Sequence, residues 1–162
     1  MACSSRSEAI AATLSLALLL SGPAAGAPDD PLVLESLRGD SVRVLPEAGS
    51  TVLLHFWASW CPSCVDELPM LETAAAACAG GGLRVLAVNV GEDVETIARF
   101  YSPSDAGLQL VRDPRGRVWR AVSGVGLPVN LFWTVGEQRV DVGPRSQPEW
   151  VAAFEELGCR ME

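Results

Sequence analysis

Phe56-Trp57-Ala58-Ser59-Trp60-Cys61-Pro62-Ser63-Cys64 is the stretch on which this chain turns. Residues 51–57 (T-V-L-L-H-F-W) form a near-continuous apolar run rich in strand formers. Continuous burial predicts a central strand covered on both faces. A helix follows at Pro62. Cys64, Leu68, Leu71, Ala75 and Cys78 recur at helical spacing as one seam. Gly80-Gly81-Gly82 ends it. Cys61 therefore stands where a helix begins, at unpaired N–H groups and the positive end of the dipole. A thiolate is stabilised there, so its pKa falls below that of a free cysteine. The thiolate is the attacking species of disulfide exchange. Pro62 suits the first turn, where a missing N–H costs nothing. Cys64 lies one turn in, on the core-facing seam. That shielded place fits a resolving thiol, which attacks the mixed disulfide and releases the partner.

A single C-x-x-C has competing readings. It is half of a zinc site, but the motif occurs once, and Cys78, Cys159 and His55 are not spaced as the other half. It is also a bare structural disulfide, though so short a loop removes little chain entropy.

Outward from the motif, residues 32–37 and 42–45 read as two strands around the turn Arg38-Gly39-Asp40. Residues 83–90 form a second buried strand, 94–101 a helix and 109–111 a short strand. Asp113-Pro114-Arg115-Gly116 turns into a short helix at 118–122. Residues 129–135 and 139–142 pair across a tight turn at Gly136-Glu137. Ser146 and Glu149 have capping-box spacing before a last helix with Trp150, Phe154 and Leu157 on its apolar face. Alternation first and a hairpin later predict a mixed sheet with helices on both faces, an α/β fold.

Composition sets further bounds. Hydrophobic residues are 49 % of the chain, enough for a packed core. The net charge is −8 and every basic residue is arginine, which excludes lysine Schiff-base chemistry and argues against nucleic acid. Residues 1–27 read as a signal peptide or N-terminal anchor: Arg6, an apolar run over 10–20, a Ser21-Gly22-Pro23 break and small residues at 25–27. The apolar run is short for a membrane span. Pro28 after Ala27 disfavours cleavage at that bond, so cleavage after Gly26 or retention as an anchor both stand. Residues 28–162 form the domain. Removing the segment removes Cys3 and leaves four cysteines, consistent with disulfide chemistry in an exported chain.

The F-W-A-S-W-C-P-S-C stretch resembles the thioredoxin superfamily, and within it the exported TlpA/ResA-like branch that includes cytochrome c maturation reductases. Pro69, eight residues beyond Cys61, matches the kinking proline of that helix. Gly126-Leu127-Pro128 before a strand matches the family's cis-proline loop. The resemblance implies a thioredoxin fold with an N-terminal β-hairpin and a central insertion. It implies an extracytoplasmic disulfide reductase with no cofactor beyond the Cys61–Cys64 redox disulfide. It also implies protein substrates with cysteine pairs, a membrane electron donor of the DsbD or CcdA type, and a monomer. Dithiol oxidation and a non-catalytic copper- or client-binding module are the alternatives. A peroxiredoxin wants threonine or serine where Ala58 stands.

Site roles follow from the same resemblance. Trp60, Pro62, Leu127 and Pro128 would contact substrate, the proline loop offering a strand edge for pairing. Glu67 reads by itself as a solvated helix carboxylate; the resemblance implies a part in proton transfer to the thiols. His55, the only histidine, replaces the buried aspartate of thioredoxins. It is either a satisfied core imidazole or a proton relay beneath Cys64. In the implied fold Cys78 and Cys159 lie at the far ends of neighbouring helices. A structural disulfide there closes a loop of about 80 residues, worth roughly 4.5 kcal/mol in the chain-entropy model. Two unpaired core thiols are the alternative.

Overall fold

The computed structural model describes residues 30–78, 80–102 and 107–160. The N-terminal segment expected as a signal or anchor lies outside the described residues. Among the described residues no helix is long and apolar enough to cross a membrane.

The described residues open with an antiparallel pair, β1 (Leu32–Ser36) and β2 (Ser41–Val44). The next elements are β3 (Thr51–Trp57), α1 (Pro62–Ala77), β4 (Leu83–Val90), α2 (Val94–Phe100) and β5 (Gln109–Asp113). The chain then forms α3 (Arg117–Val122), β6 (Val129–Thr134), β7 (Glu137–Val142) and α4 (Gln147–Glu156). The strands make one seven-stranded sheet in the order β2-β1-β5-β4-β3-β6-β7. β3, β4 and β5 are parallel, and the outer strands run antiparallel to their neighbours. Between β4 and β6 the chain forms α2, β5 and α3, with β5 a full member of the sheet.

β3 shows why the apolar run is continuous. Leu53 and Trp57 pack into the core beneath α1 and α4, while Val52, Leu54 and Phe56 pack into the second core on the opposite face. Successive side chains of a strand point to opposite faces, so both faces must be apolar. The first core holds Leu68 and Leu71 of α1, Ile97 of α2, and Trp150 and Phe154 of α4. α3 supplies Val118 to the other. Three helices on one face and one on the other satisfy the expected covering of both faces.

Most element ends fall within a residue or two of those read in the sequence, and two of the shifts have a visible cause. β5 extends to Asp113, whose carboxylate accepts the backbone N–H of Arg117 and of Trp119, both at 2.9 Å, and so starts α3 at Arg117. Those bonds satisfy two otherwise orphaned N–H groups of a helix start. The β6–β7 turn sits at Val135-Gly136 rather than Gly136-Glu137, because Thr134 pairs with Glu137. Gly136 takes φ of 83°, a conformation that glycine adopts without steric penalty.

This topology gathers the site. In register, Trp57 at the end of β3 faces Asn89 near the end of β4. Phe56 faces Val129, so the residues just before β6 lie at the same sheet end. The α1 start, the loop after β4 and the loop before β6 therefore converge there.

Candidate active site

Cys61 is the N-cap of α1, with extended backbone (φ −104°, ψ 94°), and Pro62 is the first helical residue. The turn that delivers it is closed by the Cys61 N–H donating to the Ala58 carbonyl at 3.1 Å. No acidic residue occupies the first turn of α1. Carboxylates there would compete for the N–H groups that stabilise an anion. Cys61 and Cys64 are joined, with sulfurs 2.05 Å apart and Cα atoms 5.3 Å apart. Cys64 is fully buried and Cys61 retains 6 % exposure, so only Cys61 is reachable. Trp60 beside it is 68 % exposed, whereas Trp57, Trp133 and Trp150 are core residues. Pro69 lies inside α1, which runs on past it without a break.

The Leu127–Pro128 bond is cis. Pro128 is buried and Leu127 half-buried, with Val125 exposed just before them. The loop thus carries an open apolar surface at the sheet end where Cys61 emerges.

Beneath the disulfide lies a cluster of polar side chains. His55 is fully buried, and its Nδ1 donates to Asn130 Oδ1 at 2.8 Å. Glu67 Oε2 is 3.6 Å from the same nitrogen. Burial lowers the His55 pKa to about 4; the Asn130 bond and the backbone of Cys64 act in the opposite direction. The imidazole is neutral at pH 7, so its contact with Glu67 is not an ion pair. Glu67 is not the solvated carboxylate its residue type suggested: it is 5 % exposed. Its position three residues past Cys64 puts it on the buried face of α1. Burial raises its pKa, partly offset by the Arg145 N–H, which donates to Oε1 at 2.5 Å. His55 Nε2, Glu67 Oε2, Asn130 Nδ2 and Trp150 Nε1 are buried with no well-formed hydrogen bond among the described residues, though the Trp150 indole acts on Glu67 to lower its pKa. Glu67 also lines a groove of about 460 Å³ with Ser63, Asp66, Arg145 and Trp150. It therefore connects the buried cluster to the surface beside Cys61.

Asn130, Arg145, Asn89 and Glu92 were not singled out in the sequence. An asparagine inside each of two apolar strands (L-A-V-N-V and V-N-L-F-W) was the available signal. Glu92 accepts from Ser59 N at 2.8 Å, Ser59 Oγ at 2.5 Å and Asn89 Nδ2 at 2.7 Å. At the other end of α1, Cys78 and Cys159 lie with Cα atoms 5.4 Å apart and sulfurs at bonding distance.

A mixed sheet with a helix-start cysteine pair beside a cis-proline loop defines a thioredoxin-fold thiol–disulfide site. The model of the AhpC/TSA family matches residues 26–136, and the chain belongs to that family. The thiol-disulfide oxidoreductase ResA of Halalkalibacterium halodurans is 33 % identical over 100 residues, 62 % of this chain and 57 % of ResA. This chain thus spans little more than half of that relative. The sporulation thiol-disulfide oxidoreductase A of Bacillus subtilis is 24 % identical over 117 residues, 69 % of this chain and 70 % of that protein. Among solved structures, MTB dsbF in its mixed oxidized and reduced forms superposes with a TM-score of 0.68 at 25 % identity. The match covers 78 % of this chain and 94 % of dsbF.

Proposed function

We propose that the chain is an extracytoplasmic thiol–disulfide oxidoreductase that reduces protein disulfides, as in cytochrome c maturation. The observation that carries this is the Cys61–Cys64 pair at the start of α1, one sulfur reachable and the other sealed. In the reduced protein the Cys61 thiolate attacks a substrate disulfide sulfur. A mixed disulfide forms and one substrate thiolate leaves, taking up a proton. Cys64, once deprotonated, attacks the Cys61 sulfur. The Cys61–Cys64 bond forms and the second substrate thiolate departs. A membrane donor of the DsbD or CcdA type restores the dithiol.

The residues around the pair divide the remaining work. Trp60, Pro62 and Leu127 form the substrate surface, and buried Pro128 shapes the loop that presents Leu127. Glu67 and His55 form a proton path between the groove and Cys64, the sulfur that must lose a proton in a sealed place. The domain spans residues 28–162 and works as a monomer, with residues 1–27 exporting or tethering it. Pro-Ser between the cysteines lacks the histidine of strong oxidants, which favours the reductase direction. Ala58 counts against thiol peroxidase chemistry, for which family membership alone would allow.

The test is trapping. Reduced Cys64→Ser protein, mixed with insulin, should accumulate a Cys61 mixed disulfide visible by non-reducing mass mapping. Cys61→Ser should trap nothing and lose insulin reduction by at least about a hundredfold. Failure of the Cys64→Ser protein to trap substrate would refute the proposal.

A further inference from the structure

We infer that Glu92 is a positioning residue for the nucleophile, fixing the turn that presents Cys61 and holding the Cys61–Cys64 pair on the reducing side. The inference rests on the disulfide-exchange reading above and concerns how that site is tuned.

Glu92 lies in the loop after β4, 31 residues beyond Cys61 in sequence. Its carboxylate accepts three hydrogen bonds, two of them from Ser59. The third donor is Asn89, which is fully buried at the end of β4, and Asn89 Oδ1 accepts the Glu92 N–H at 3.3 Å. The clamp is thus anchored in the sheet rather than in a free loop. A carboxylate with three donors is held in one place. Ser59 belongs to the Ala58–Trp60 turn, so the clamp fixes the approach of Cys61 to the start of α1.

The clamp also carries charge. Ser59 stands two residues before Cys61, so the clamped carboxylate brings a negative charge to the turn that carries Cys61. The Ser59 N–H, occupied by Glu92, is not free to stabilise a thiolate. A nearby negative charge raises the pKa of a thiol. This opposes the helix start, which lowers it. Less stabilisation of the thiolate means less stabilisation of the reduced form, which makes a dithiol a stronger reductant. The groove that begins at Ser63, whose hydroxyl lies 3.7 Å from the Cys61 sulfur, carries the charged groups Asp66, Glu67 and Arg145, and neutral His55 is buried beneath.

The experiment measures iodoacetamide alkylation of Cys61 against pH in full-length reduced protein, for wild type, Glu92→Gln and Ser59→Ala. It also measures, at pH 9, the exchange in which the Cys61–Cys64 disulfide and two glutathione thiols give the dithiol and glutathione disulfide. Glu92→Gln should lower the alkylation midpoint by about one pH unit and shift the exchange towards dithiol by up to about tenfold, about 30 mV. Ser59→Ala keeps the charge and should leave the midpoint within about 0.3 units. If Glu92→Gln does not fold, Glu92→Asp against Glu92→Asn makes the same comparison at equal length. An unchanged midpoint without the charge, or an equal fall in Ser59→Ala, overturns the inference. Absence of insulin reduction by wild type would instead sink the catalytic reading, and the alkylation midpoints would still be readable.

Discussion

His55 shows how much one residue's meaning depends on what surrounds it. An imidazole in a run of apolar strand residues is costly unless it is neutral and hydrogen-bonded. Here Asn130 supplies the bond from the neighbouring strand and burial lowers the pKa to about 4. The unfolded chain has an ordinary histidine pKa near 6.5. Between those values the unfolded state binds more protons, so stability rises with pH across the window from about 4 to about 6.5. The full penalty is present below the folded pKa and absent above the unfolded one. The shift corresponds to about 3 kcal/mol. Glu67 works against it. Its raised pKa means the folded state keeps a proton the unfolded carboxylate loses, so its contribution falls as pH rises past the ordinary carboxylate value. His55→Asn removes the first term and leaves the second. Urea denaturation from pH 4 to 7 should show the wild-type rise flattened by about 3 kcal/mol in the variant. Parallel pH curves for the two proteins would show that His55 does not titrate as its burial demands.

At the scale of elements, α4 carries a capping box that was legible as Ser146-Gln147-Pro148-Glu149. Glu149 accepts from the Ser146 backbone N–H at 2.7 Å and from its hydroxyl at 2.6 Å. The helix it starts brings Trp150 and Phe154 into the core, so the cap bears on global stability. Ser146→Ala should cost about 1 kcal/mol in equilibrium denaturation, with the m-value unchanged. A loss below about 0.3 kcal/mol would mean that core packing alone sets the helix start. Elements of this kind were readable because their signals are local. A continuous apolar run marked β3, a proline after a cysteine marked α1, and Gly-rich breaks marked the ends. The site was readable only in part. Cys61, Cys64 and Pro128 stand in local motifs. The His55–Asn130 bond joins residues 75 apart, and the Ser59–Glu92 bonds join residues 33 apart. Both depend on strand order and register, which local patterns do not encode. Glu67 is the intermediate case. Its helical spacing from Cys64 and Leu71 was a signal for the buried face, but its charge led to the reading of a solvated carboxylate.

At the scale of the whole molecule, α1 is held at both ends by sulfur, and the two cysteine pairs sit in different surroundings. Cys61 is the N-cap of the helix, where an anion is stabilised, and it keeps 6 % exposure. Cys78 is the C-cap of the same helix and is 2 % exposed, and Cys159, just past α4, is 4 % exposed. A helix C-terminus carries partial negative charge, which disfavours a thiolate. Both cysteines lie in the apolar core, and a thiol buried in apolar surroundings is inert. The Cys78–Cys159 pair should therefore persist while the first pair cycles, and act as a staple between α1 and α4. A link across 81 residues removes about 4.5 kcal/mol of chain entropy from the unfolded state. Two measurements separate this from a second redox centre. Mild reduction followed by alkylation should label Cys61 well before Cys78 or Cys159. The Cys78→Ser, Cys159→Ser double variant should lose about 3–5 kcal/mol in denaturation, yet keep the wild-type rate of insulin reduction at 25 °C. Equal labelling of both pairs, or a stable double variant with altered exchange kinetics, would place the second disulfide in the chemistry rather than in the framework.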